Sequence, residues 1–158
     1  MMEPSFEKLL ALLAESGVRF IVVGGIAVTL HGYVRLTEDV DILLDAAPDN
    51  ILRLIGTLSG YGQGYAAELA VEDFDETEGA IRIVEETEGC QIDLFTRMTG
   101  RVYADVLADA ACLTVKGHAV RYASKSALIA WKENSVREKD RLDALALRKL
   151  QENPDAFR

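Results

Sequence analysis

Apolar residues at Phe6, Leu9, Leu10, Leu12 and Leu13 recur at helical spacing, and with Pro4 in the first turn and Gly17 as a stop they predict a helix over 4–16. The unbroken apolar run Phe20-Ile21-Val22-Val23 predicts a buried strand. Gly24-Gly25 then opens a short helix that runs to His31 and stops at Gly32. A second strand is expected over 40–44 and a helix over 48–58, entered through Pro48, followed by a loop at Ser59-Gly60-Tyr61-Gly62-Gln63-Gly64. Strands over 80–85 and 91–95, joined through Glu86-Thr87-Glu88-Gly89, read as a hairpin. A short helix at 102–107 and a hairpin at 113–122, turning at Lys116-Gly117-His118, come next. One long helix over 124–150 follows, with Ser124 as its N-cap and an apolar stripe of Leu128, Ile129, Trp131, Leu142, Leu145 and Leu150. This order implies an α+β chain: a mixed β-sheet with helices packed on it, in a single domain spanning 1–158.

The pattern is interrupted by charge in three places that matter. Asp39 and Asp41 lie in Thr37-Glu38-Asp39-Val40-Asp41-Ile42-Leu43, fourteen residues after Gly25 for the first of them, and Asp93 lies between Ile92 and Leu94. Residues i and i+2 of a strand face the same way at roughly 6.5–7 Å, so two carboxylates there can converge on one ion. An Asp flanked by Val, Ile and Leu is unfavourable both by propensity and by desolvation, which calls for an external partner. Magnesium suits the set: it takes oxygen ligands, keeps several waters, and is held by one or two carboxylates plus substrate phosphates. No cluster of His or Cys competes for zinc. Two ions about 3.5–4 Å apart would stabilise the attacking and leaving oxygens of an in-line phosphoryl displacement, with Asp93 as third ligand able to take the attacking hydroxyl's proton. Gly24 and Gly25, lacking Cβ atoms, would let backbone N–H groups approach phosphate oxygens. Arg35 could pair with phosphate bidentately, and Thr37 could hydrogen-bond the acidic strand.

Composition narrows the classes. A net charge of −9 argues against a protein that coats nucleic acid, although residues 116–149 carry nine Lys and Arg against four acids, which would suit a metal–phosphate site between an acidic body and a basic end. Cys90 and Cys112 are too few for a disulfide framework and too far apart for a CxxC knuckle. No apolar run approaches eighteen residues and no signal peptide is evident, so a cytoplasmic protein without a membrane partner is expected. The acidic stretch 72–79 reads as a solvated loop rather than a second metal site, His31 as a packed or capping residue, and His118 as exposed.

The Gly-Gly turn, the Asp-x-Asp strand and the later strand Asp together resemble the nucleotidyltransferase superfamily of the DNA polymerase β-type fold. More narrowly, Val23 through Leu43 looks like the small bacterial nucleotidyltransferases related to abortive-infection toxins, and Lys132 through Asp143 like the helix those proteins place beside the site. The resemblance implies magnesium-dependent transfer of a nucleoside monophosphate from an NTP to an acceptor hydroxyl, with release of pyrophosphate. It makes Asp39, Asp41 and Asp93 metal ligands, Gly24-Gly25 the triphosphate cradle, and Lys132 and Lys139 phosphate contacts. The acceptor stays open among RNA, protein and small molecule, since no added domain for a tRNA or protein acceptor is evident. A toxin paired with an antitoxin is the first expectation. The alternatives are a non-catalytic nucleotide-sensing or partner-binding module, antitoxin-like in role, and a small-molecule transferase of the aminoglycoside-modifying kind.

Overall fold

The computed structural model describes residue 2 and residues 4–34, 36–75, 77–133, 135 and 137–158; Arg35 lies outside them, so its expected phosphate contact stays a sequence expectation. Six strands form one sheet: β1 (Phe20–Val23), β2 (Asp39–Leu44), β3 (Ile81–Glu85), β4 (Cys90–Phe95), β5 (Ala111–Val115) and β6 (His118–Tyr122). Their order across the sheet is β3-β4-β2-β1-β6-β5. The β2/β4 and β1/β6 pairs run parallel and the other three antiparallel, so the expected mixed α+β architecture is what the chain adopts. Helices α1 (Pro4–Glu15), α2 (Gly24–Leu30), α3 (Pro48–Ser59), α4 (Tyr103–Leu107), α5 (Lys125–Glu133) and α6 (Glu138–Glu152) complete the chain, with 3-10 turns at Tyr65–Glu68 and Val71–Asp73.

The core forms where the predicted apolar faces meet. Leu9, Leu10 and Leu13 of α1, all four residues of β1, Ile42 to Leu44 of β2, Ile51 and Leu54 of α3, and Ile92 and Leu94 of β4 are buried together. Burying a side chain of this size contributes about 1.5–3 kcal/mol, and all four residues of β1 and Val40, Ile42, Leu43 and Leu44 of β2 are buried. That anchoring holds β1, β2 and β4 firmly at the middle of the sheet, which is where the acids sit.

The expected single helix over 124–150 is two helices. Ser124 caps the first as anticipated, its Oγ accepting from the Ala127 N–H at 3.1 Å. The first helix ends at Glu133 and the second begins at Glu138; before it the Ser135 hydroxyl accepts from the Arg137 N–H (3.1 Å) and donates to Asp140 Oδ2 (2.7 Å). The side chain thereby satisfies a backbone N–H that a continuing helix would have used. The break also resets the helix phase. In α6 the buried face is Asp143, Ala144, Ala146, Leu147 and Leu150, whereas Leu142 and Leu145, expected in the stripe, point to solvent.

Candidate active site

Strand register assembles the acids. In the parallel β2/β4 ladder Asp41 stands beside Asp93, while across the antiparallel neighbours Val23 pairs with Asp41 and Arg82 with Asp93. Val23, Asp41, Asp93 and Arg82 thus form one transverse row over four strands, with Asp39 two residues along on the same face. Carboxylate oxygens of Asp39, Asp41 and Asp93 lie within 4.8 Å of one another, a span that one or two ions coordinated at about 2.1 Å would bridge. The donor set is all oxygen. Asp93 is buried, and Asp39 and Asp41 are half-buried at the floor of an open cavity of about 680 Å³.

The electrostatics show a site short of positive charge. Burial, the neighbouring Asp93 and then Asp39 push the Asp41 carboxyl up to about 7, opposed only in part by Lys132. Arg82 supplies the other compensation: its Nε and Nη2 donate to the two oxygens of Asp93 at 2.9 and 3.1 Å, and Nη2 is 4.0 Å from Asp39 Oδ2. A divalent cation is the group this chemistry fits. Because it must displace the Asp41 proton, its affinity is expected to fall roughly fivefold from pH 7 to 6 and about tenfold per unit below that, as titration calorimetry at stepped pH would measure. The linked stability effect has the opposite sense. A carboxyl that holds its proton longer when folded makes the metal-free fold less stable as pH rises from about 4 to about 7.

Gly24 has a reason beyond a phosphate approach. Its φ is +69°, in the region that disfavours side chains, and a Cβ there would fall 2.0 Å from Asp41 Oδ2. The glycine therefore makes room for the acid itself. Gly24→Ala is expected to cost about 2–3 kcal/mol in chemical denaturation and to displace the Asp41 carboxylate, with loss of metal affinity in the folded fraction.

Gly24, Gly25, Thr37, Lys132 and Lys139 all line the same cavity as the acids. Lys132, however, is buried and its ammonium is held by Asp143 Oδ2 at 2.8 Å and Asp140 Oδ1 at 3.2 Å, so it bridges α5 to α6 rather than standing open to the cavity. Asp140 also meets Arg137 at 3.4 Å. Lys139 is exposed at the rim. His31 packs as expected, with Nε2 2.7 Å from the Ala123 carbonyl and its ring on Tyr122; burial pulls its pKa down. His118 is half-buried rather than exposed. The acidic stretch is tied into local turns: Thr77 donates to Asp75 Oδ1 and Glu78 accepts from the Gly100 N–H.

Sequence reasoning missed Arg82, Arg137 and the apolar wall of Phe95, Met98, Leu128 and Trp131. For Arg82 a signal existed: a hairpin loop of four residues pairs 85 with 90, which brings 82 opposite 93.

A mixed sheet that carries three convergent carboxylates beside a Gly-Gly turn defines a nucleotidyltransferase. The chain belongs to the family described as "Nucleotidyl transferase of unknown function (DUF2204)", whose model matches residues 4–154. None of the curated proteins matches the sequence. Among solved structures it is similar to the lincosamide antibiotic adenylyltransferase LnuA in its lincomycin-bound form, at 19% identity and a TM-score of 0.67 over 95% of this chain and 98% of that one. TM1012 of Thermotoga maritima, described as "a putative nucleotidyltransferase", aligns at 14% identity and a TM-score of 0.55 over 96% of both chains. An antigenic nucleotidyltransferase-like protein from Paracoccidioides brasiliensis aligns at 15% identity and a TM-score of 0.52, over 95% of this chain and 78% of that one. At these identities the likeness establishes the fold. Among the described residues no helix is long and apolar enough to cross a membrane.

Proposed function

We propose that the chain transfers a nucleoside monophosphate from an NTP to a hydroxyl of a small molecule, with magnesium held by Asp39, Asp41 and Asp93. The observation that carries this reading is the convergence of the three carboxylates on one cavity wall beside Gly24-Gly25. Bound there, magnesium would neutralise charge on the phosphates as the transfer proceeds. Asp39 and Asp41 would hold the ion on the cavity floor, where its charge would orient the phosphates. Asp93 receives the proton of the acceptor hydroxyl as its oxygen bonds to the α-phosphorus, the bond from that phosphorus to the bridging oxygen breaks, and pyrophosphate leaves. The backbone at Gly24-Gly25 lets phosphate oxygens approach closely, and Lys139 and Arg137, which line the same cavity, add positive charge for the departing pyrophosphate. Lys132 acts on this charge from behind, through its place between the α6 acids and Asp41.

A small acceptor is favoured by the cavity itself. At about 680 Å³ it is of the size that ligand pockets take, and its Phe95, Met98 and Trp131 wall, backed by the buried Leu128, offers an apolar face beside the polar floor. The lincomycin-bound relative shares the fold over nearly its whole length, which supports the same class of acceptor here. The test is incubation with labelled NTPs and magnesium against a panel of hydroxyl-bearing small molecules, total RNA and cell protein, with Asp41→Asn in parallel. Labelling of a small molecule that is lost in the variant is expected. Labelling confined to RNA or protein would move the reading to a toxin-type transferase. Nucleotide binding without any labelling would move it to a sensing module.

A further inference from the structure

Arg82 lies on β3, the edge strand of the sheet, with 59% of its side chain exposed, yet its guanidinium reaches over the floor of the cavity. There it engages both oxygens of Asp93 in a fork and approaches Asp39 to 4.0 Å. Its partner Asp93 is 7% exposed, so the guanidinium covers the open side of an otherwise enclosed carboxylate. A fork of this kind is the strong form of the ion pair, and here it is made to two of the three acids that would hold a cation. We infer that Arg82 is the resident counter-cation of the metal-free site, which an entering divalent ion must drive off Asp93 and Asp39.

This role of Arg82 rests on the metal reading of the acid trio and follows from charge and position. A cation at the trio would lie within a few ångströms of the guanidinium, and like charges at that separation repel. Among the described residues the guanidinium hydrogen-bonds to Asp93 alone, with Asp39 as its second ionic neighbour, and its exposed stem leaves it able to turn outward. The device keeps three carboxylates compatible with a folded, metal-free protein, and sets the ion concentration at which the site assembles. Once displaced, the guanidinium sits at the cavity rim, where an anionic substrate group can take the place of Asp93.

The test is calorimetric titration of manganese, without nucleotide, into the wild-type protein and into Arg82→Gln, Arg82→Ala and Arg82→Lys, with thermal melts confirming that each is folded. The neutral variants are expected to bind manganese about fivefold to tenfold more tightly, and Arg82→Lys, which keeps the charge, within about twofold of wild type. Unchanged or weaker binding in both neutral variants, with manganese still bound by wild type, would overturn the role of Arg82 alone. If neither wild type nor a neutral variant takes up manganese, the metal reading of the trio falls and this inference with it. Binding seen only in the neutral variants would be its strongest support.

Discussion

Asp41→Asn is expected to reduce transfer by at least a hundredfold, and the reason lies in where this carboxylate sits. It occupies the middle of the transverse row, flanked by Asp93 on one side and by the space that Gly24 leaves on the other. The substitution keeps the shape, so the fold and the Gly24 contact survive. It removes a negative charge from the centre of the trio, and with it several kcal/mol of the stabilisation that a metal-held phosphate would receive. Because the buried carboxyl costs desolvation and repels its neighbours, the variant is also expected to be as stable as wild type or more so at pH 8. Initial rates at saturating magnesium together with urea denaturation would check both halves. A variant that is stabilised and inactive is the signature of a residue kept for chemistry rather than for folding.

Lys132→Met should do the reverse. The lysine's ammonium faces Asp143, which is 1% exposed, and Asp140, with its own side chain only 10% exposed. Removing the ammonium that faces the buried Asp143 carboxylate breaks a buried ion pair, at a cost of about 3–5 kcal/mol. For a chain of this length that is a fall in Tm of roughly 10 °C. The α5–α6 pair is where the loss should appear, and hydrogen exchange of the α6 amides would locate it. Replacing Lys132, Asp140 and Asp143 together by apolar residues should recover much of the stability, since breaking a buried pair is worse than never having had it.

These two residues also mark the limit of what could be read from the chain. Asp39, Asp41 and Asp93 were legible because a charged residue inside an apolar strand is a local anomaly, and because alternation along a strand fixes which side chains share a face. The order of the elements followed from periodicity in the same way. The helix break between Glu133 and Glu138 was not legible: Ser135 and Arg137 are compatible with a helix, and Leu142 and Leu145 continue an apolar rhythm that the fold leaves in water. The consequence reached the site. In an unbroken helix Lys132 and Asp140 would be separated by eight residues, about 12 Å of rise, and could not meet. Arg82 escaped notice for another reason. An arginine on an edge strand reads as ordinary solvation, and only the cross-strand register reveals that it faces a carboxylate.

The position of β3 gives the site a seam. This strand is hydrogen-bonded on one side only, to β4, while the strands that carry the acids are bonded on both. Fraying would start at such a border and run a short way before the doubly laced interior stopped it. Arg82 rides on the part that can peel; the carboxylates are stitched into the part that cannot. The molecule can thus loosen its grip on one side of the cavity while the opposite wall keeps its shape.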